Sequence, residues 1–310
     1  MSTVVPARPV GTDVDRADRR ARRADLPPLG PRQQLVRIVL LMVLAASAGM
    51  VLHLVAVSAL QHSASQRNSF EVFRGKLAAG TVAIGPTDDL GAPVPLGTGV
   101  AYLEIPRLDL KEVVRLGTTP AVLFGGPGLR RDTPFPGQVG TSVILGRRAA
   151  YGGPFSDLSS LRAGDTITVT TGQGVFQFAV LGVRRAGDPI PPPLAKGKAR
   201  LGLVTADGSP FVPSGLLRVD ADLVGDAVGG ATPGASSTAL PASERPLGTD
   251  SSTLWALALW LQALILVSVA ATWAWHRWGR PQAWIVFTPI VTLVGLGTAG
   301  ELARLLPNLL

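Results

Sequence analysis

Three long apolar runs and a block of short alternating segments organise the chain. Ile38 to Leu60 is 23 residues without a formal charge, Thr253 to Trp275 is a second run, and Gln282 to Leu306 is a third. A bilayer core needs about 20 apolar residues, so three transmembrane helices are predicted at 38–60, 253–275 and 282–306. The first run is longer than the 7–15-residue core of a cleaved signal, so it is expected to stay as a span. Residues 100–224 read differently. Val100–Ile105, Val113–Leu116, Ser142–Leu145, Thr166–Thr171, Val175–Arg184, Leu201–Thr205 and Leu216–Leu223 are short, β-rich and separated by Gly and Pro. Thr166–Thr171 and Leu217–Leu223 alternate in polarity, as half-buried strands do. Gly172-Gln173-Gly174 between two of them is a tight hairpin signal. About seven or eight short strands in roughly 125 residues predict a small closed barrel or sandwich.

The stretches around the block complete the domain plan. Residues 61–99 are a juxtamembrane segment, with Phe70, Phe73 and Leu77 spaced for a short amphipathic helix over 61–80 and a Gly/Pro loop behind it. Residues 225–252 are rich in Gly, Ala, Ser and Pro and read as a flexible linker. Residues 276–281 form a short basic turn between the last two spans.

Charge orients this plan. The chain has 29 basic and 21 acidic side chains, a net +8. Residues 1–37 hold 8 basic and 4 acidic residues, residues 61–252 hold 18 and 16, and residues 253–310 hold 3 and 1. The excess lies beside the apolar runs and the central block is nearly neutral, which argues against nucleic-acid binding. The Arg-rich tail 1–37 and the turn 276–281 are predicted to face the cytoplasm, which leaves the β block outside. All six Trp fall between 255 and 284, several of them near the expected interfaces. The expected location is the cell membrane, multi-pass, with an extracytoplasmic β domain. Within the spans His53, Gln262 and the Glu301/Arg304 couple are polar, and the last two, three apart, are expected to pair on one helix face.

Composition narrows the chemistry. There is no Cys, and the only His are 53, 62 and 276. A disulfide framework, a thiolate nucleophile and a Cys-ligated zinc are excluded. No metal site and no cofactor are expected.

Ordered motifs in the β block resemble the sortase family, most closely the class E sortases of actinobacteria. They are Leu103-Glu-Ile-Pro106, Gly126-Pro-Gly128 followed by Asp132-Thr133 and Pro136-Gly137, and Gly140–Arg148 followed by Tyr151-Gly-Gly-Pro-Phe155. Leu161-Arg-Ala-Gly-Asp165 and Leu201–Asp207 complete the series. The resemblance implies an all-β sortase-like barrel over 100–224, beside the three transmembrane helices. It also implies a peptide or surface-protein partner, with a sorting-signal segment as the family's ligand type.

The catalytic residues of that family do not carry over. Sortases use a Cys nucleophile, a His acid and an Arg that steadies the oxyanion. The matching positions here hold Ala206 for the Cys, Arg147 for the His, and Leu216 or Arg218 for the Arg. Ala206 has no nucleophilic atom, and a guanidinium stays protonated near neutral pH. Loss of both groups is expected to cost on the order of 10⁶ in rate. Arg147, Arg218 and Thr205 are then candidate binding residues, and a fixed positive charge at 147 suits a carboxylate such as a chain terminus or an acidic side chain.

The expected function is a catalytically inactive sortase-like protein, anchored in the membrane, that binds a peptide or protein partner in surface-protein assembly. One alternative is an active transpeptidase or hydrolase using Thr205 or Ser209, although Asp207-Gly-Ser-Pro210 also reads as ordinary turn chemistry. Another is a structural subunit whose spans hold a membrane-protein partner. The loop Asp188–Leu194 matches by position the loop bordering the sortase groove, and its prolines could dock a partner. The Arg pairs 130/131, 147/148 and 184/185 are expected to sit mainly in solvated ion pairs.

Overall fold

In the computed structural model, the described residues are 57–310 except 89–90, 211, 231–239, 251–253 and 278–279, together with Arg32, Gln33, Gly49 and His53. The first expected span, 38–60, therefore lies almost wholly outside them.

Eight strands close into a barrel: β1 Gly99–Ile105, β2 Leu110–Leu116, β3 Gly128–Leu129, β4 Gly140–Leu145, β5 Thr166–Thr171, β6 Gly174–Arg184, β7 Ala199–Ser209 and β8 Val212–Leu223. Their order around the barrel is β1-β2-β3-β4-β7-β8-β6-β5, and β5 pairs back to β1. Closure leaves no open sheet edge to be covered. The alternation seen in the sequence sorts the side chains by face. Leu103, Ile105, Ile144, Leu201, Leu203, Leu217 and Val219 point inward with Phe155 and Phe178 and are fully or almost fully buried. Burial of a Leu or Phe of this kind contributes roughly 1.5–3 kcal/mol.

Most of the expected strands are present, with boundaries moved by a few residues. Two differences matter. β3 is only two residues long and was not foreseen. β7 runs on through Asp207, Gly208 and Ser209, which the sequence suggested as a turn; a register shift at Asp207/Gly208 lets the ladder continue to Ser209↔Val212. Gly208 sits at φ +104°, a conformation that glycine tolerates and side chains rarely do.

The helix α1, Ser58–Ala78, docks along β2. Its expected apolar stripe is mostly exposed, since Phe70 and Leu77 are 36% and 37% accessible and only Phe73 is buried. Polar groups do the docking. His62 Nε2 donates to Glu112 Oε1 at 2.8 Å in a buried contact. Gln66 donates to Gly125 O at 2.6 Å and accepts from Val113 N at 2.8 Å. Arg115 donates to the hydroxyls of Ser65 and Ser69, both at 2.5 Å. Such hydrogen bonds leave no hydrophobic periodicity in the sequence.

After a single helical turn, α2 (Pro120–Leu123), and the barrel come α3, Leu254–Arg277, and α4, Arg280–Leu305. Among the described residues two helices, not three, are long and apolar enough to cross a membrane, through Leu254–Ala271 and Ile285–Leu305. Most of their side chains lie open, Trp255, Leu266 and Ile285 among them. Arg304 Nη1 donates to Glu301 Oε2 at 3.4 Å, the pairing that their spacing predicted. The stretch 225–252 is not a free tether throughout. Val228 N donates to Gly137 O at 2.9 Å, and Glu244, 1% exposed, receives both Nε and Nη2 of Arg131.

Candidate functional site

β4 and β7 run parallel, with Leu145 opposite Val204. Parallel pairing brings both C-terminal ends to the same rim, so residues 59 positions apart in sequence become neighbours. Gly146 N donates to Val204 O at 3.0 Å, and Arg148 Nη1 donates to Ala206 O at 2.8 Å. Gly146 is required here: a Cβ at that position would lie 2.4 Å from the ring of Phe155. Phe155 N in turn donates to Arg147 O at 3.0 Å, which folds residues 147–155 back over the strand end.

The outer face of these strands forms a shallow floor. Leu145, Val204 and Ala206 are buried there with Leu123 of α2, and Val143 and Leu216 pack at the margin. β8 contributes in register, with Leu216 opposite Ala206 and Arg218 opposite Val204. Antiparallel partners share a face, so both candidates for the third position lie on the floor side. Arg218 is partly buried, and its guanidinium is held below the ordinary arginine range, first by burial and then by Arg184 and Arg130 nearby. Thr205 lies on the other face. Alternation puts it with Leu201 and Leu203 inside the barrel, 1% exposed, with its hydroxyl unpartnered among the described residues. The structure thus brings Arg147, Ala206, Leu216 and Arg218 to one rim and floor and turns Thr205 away from them. Ser209 is exposed at the far end of β7.

Arg147 is the exception among the paired arginines. Arg130, Arg131, Arg148, Arg184 and Arg185 all reach a carboxylate: Asp132, Glu244, Asp207, Asp220 and Asp207 again. Arg147 is 1% exposed and instead faces two rings. Its guanidinium carbon lies 4.6 Å from the ring centroid of Phe124 and 5.2 Å from that of Tyr151. Those rings stack on each other at 4.0 Å and 12°. With the ring centroids only 4.0 Å apart, these distances set the guanidinium beside the stack, against both rings. Tyr151 holds φ +54°, unusual for a residue with a side chain, and its N–H donates to Ser58 Oγ at 3.1 Å. The ring sandwich is therefore fixed by the start of α1. Burial lowers the proton affinity of Arg147 to about 10, which still leaves it charged at neutral pH.

The floor is already filled by the chain itself. Residues 307–310 follow α4 and turn back onto the rim, with Leu310 N donating to Pro307 O at 3.1 Å. Leu309 is fully buried in the cluster of Leu123, Leu145, Val204 and Ala206. Arg148 N donates to Leu309 O at 3.0 Å, and Arg147 Nη1 donates to Leu310 O at 2.9 Å. Asn308 Nδ2 lies between the carbonyls of Thr118, Ser243 and Arg245 at 3.0, 3.1 and 3.0 Å. Nothing in the local sequence of 307–310 announces this docking. The contact of Arg147 with Leu310 spans 163 positions.

A separate cleft of about 380 Å³ lies between α1 and the turn at Leu96–Gly99, lined in part by Ser69, Phe73, Lys76 and Arg115. It is remote in sequence and strand order from the rim. No cluster of His, Asp or Glu suited to a metal ion occurs among the described residues.

A sortase-domain family model matches residues 103–210, about a third of the chain. Among solved structures, a sortase D5 transpeptidase of Clostridium perfringens is 21% identical, and the match covers 52% of this chain and 99% of that one at a TM-score of 0.44. A sortase E variant of Streptomyces avermitilis is 28% identical over 49% of this chain and 100% of that one, TM-score 0.37. Sortase E1 of Streptomyces coelicolor, solved with a tripeptide in its active site, is 23% identical over 42% and 91%, TM-score 0.38. No curated protein matches the chain. The stretch matched by the sortase-domain model, residues 103–210, runs from β1 to the end of β7 and so falls within the closed eight-stranded barrel.

Proposed function

We propose that this chain is a membrane-tethered sortase-type protein without transpeptidase chemistry, which holds a peptide or protein partner at the rim of β4 and β7 outside the membrane. The observation that carries the reading is the content of that rim. The positions matched to the family's His and Cys hold Arg147 and Ala206, and the space over them takes a peptide turn of the chain itself. Covalent catalysis needs a nucleophile with a base in hydrogen-bond reach. Ala206 offers no such atom. Thr205 Oγ1 is buried with no base bonded to it among the described residues, and Asp207 is engaged by Arg148 and Arg185. The two apolar C-terminal helices support the tether.

The test uses the whole chain in lipid nanodiscs, mixed with a Leu-Ala-x-Thr-Gly-type peptide and a glycine-based amine acceptor and followed by mass spectrometry. No cleavage and no transfer above a protein-free control are expected. Product that disappears in Thr205→Ala or Ser209→Ala would overturn the reading in favour of a hydroxyl nucleophile.

A further inference from the structure

The Arg147 pocket has two halves of different chemistry. The polar half is a buried cation with spare donors. Nη1 reaches Leu310 O, while Nε and Nη2 are buried without a partner among the described residues. A buried charge with unfilled donors is costly, and a Met of similar volume would occupy the space without that cost. A guanidinium presents its nitrogens as a planar fork that matches the two oxygens of a carboxylate. The apolar half is the space between Leu123, Leu145, Val204 and Ala206, filled by one leucine side chain, Leu309.

One short segment fills both halves at once. The segment is held by groups that any peptide carries: Arg148 N takes a backbone carbonyl, and Arg147 takes a backbone oxygen. Asn308 supplies the side-chain anchor, to three carbonyls outside the pocket itself. The leucine half is therefore complete, whereas the fork of Arg147 is only partly used.

We propose that this pocket recognises an apolar peptide segment presenting a leucine side chain and a carboxylate, and that residues 307–310 occupy it in cis until such a peptide displaces them. This rests on the peptide-holding reading above and adds the ligand's chemistry and its resident competitor. No bond is made or broken; the exchange is one peptide for another.

The absence of Cys from the chain makes a clean test. Leu309→Cys in the whole chain, in nanodiscs, is treated with a maleimide while the synthetic peptide Leu-Leu-Pro-Asn-Leu-Leu is added, either as the free acid or as its C-terminal amide. The thiol is expected to react slowly alone and about tenfold faster with saturating free acid, a change of about 1.4 kcal/mol in the opening equilibrium. The amide is expected to be several-fold less effective, and Arg147→Met should abolish the difference between the two. In the unsubstituted chain, hydrogen exchange at the Asn308 and Leu310 amides should accelerate with the free acid, which covers the case of a poorly folded Cys variant. A thiol rate and an exchange rate that saturating peptide leaves unchanged would overturn the proposal, as would equal potency of acid and amide. If a fluorescent sorting-type peptide still binds the chain in that event, the peptide-holding reading stands and the cis-ligand proposal alone falls.

Discussion

Arg147 Nη1 donates a hydrogen bond to the backbone oxygen of Leu310 at 2.9 Å, and this contact closes a loop of 163 residues across the barrel rim. It joins the rim where β4 and β7 end to the segment that leaves the last apolar helix. The energetics of that arginine lead to the first prediction.

Replacing Arg147 by Met is expected to leave the fold as stable or to raise its stability by up to about 2 kcal/mol. Burial lowers the folded pKa below the ordinary arginine range, to about 10, so the unfolded chain holds the proton more tightly. The charge then weakens the fold at every pH below about 10, by on the order of 3 kcal/mol, and the penalty fades as pH rises above that. The lost ring contacts and the bond to Leu310 offset part of the gain. Thermal unfolding followed by circular dichroism in the β-sheet band is the measurement, because all Trp lie in the C-terminal region. A loss of several kcal/mol would mean that the arginine is a structural anchor.

Ala206→Cys places a thiol on the floor under Leu309. With residues 307–310 present it should react slowly with a maleimide, since Ala206 is 1% exposed. Deletion of 307–310 should speed the reaction by about tenfold or more, on the scale of opening a site worth 1.4 kcal/mol or more. Equal rates in the two chains would show that something other than the tail covers the floor.

His62→Ala removes the partner of a buried carboxylate. Glu112 Oε2 has no hydrogen bond among the described residues, so the substitution leaves both oxygens unsatisfied. A cost of about 1–3 kcal/mol is expected. Limited proteolysis should also cut α1 earlier than in the parent, while an unchanged pattern would mean that Gln66 and Arg115 dock the helix by themselves.

Gly146→Ala forces a methyl group to within 2.4 Å of the Phe155 ring in the undisturbed structure. Overpacking of this kind costs typically 1–3 kcal/mol. The shift of Phe155 should also disturb its bond to Arg147 O, so peptide displacement of the tail should weaken together with the melting temperature.

The barrel was legible because its strands carry their own signals. Thr166–Thr171 and Gly174–Arg184 alternate on either side of a Gly-Gln-Gly turn, and the structure pairs them there. Two-residue β3 has no room for a pattern. The docking of α1 rests on His62, Gln66 and Arg115, whose partners are backbone groups and side chains about 50 positions away. At the rim, motif order named Arg147 and Ala206, and the parallel pairing of β4 with β7 brings these two positions together. Thr205 is adjacent to Ala206 in sequence, and strand alternation turns it to the opposite face, inside the barrel. The tail was invisible for a different reason. Leu309 looks like the end of an apolar run, and its burial against Ala206 depends on a tertiary return that no local spacing encodes.

Only Leu306 separates the end of α4, at Leu305, from the turn that fills the rim. A helix of 26 residues is about 39 Å long, so a ten-degree change in tilt swings its end by about 7 Å. That displacement exceeds the reach of every hydrogen bond holding the tail. Membrane helices adjust their tilt to the thickness of the surrounding bilayer. Were α4 to span a membrane, it would act as a lever whose end reaches the barrel's rim, and lipid composition would become a variable of the rim's occupancy.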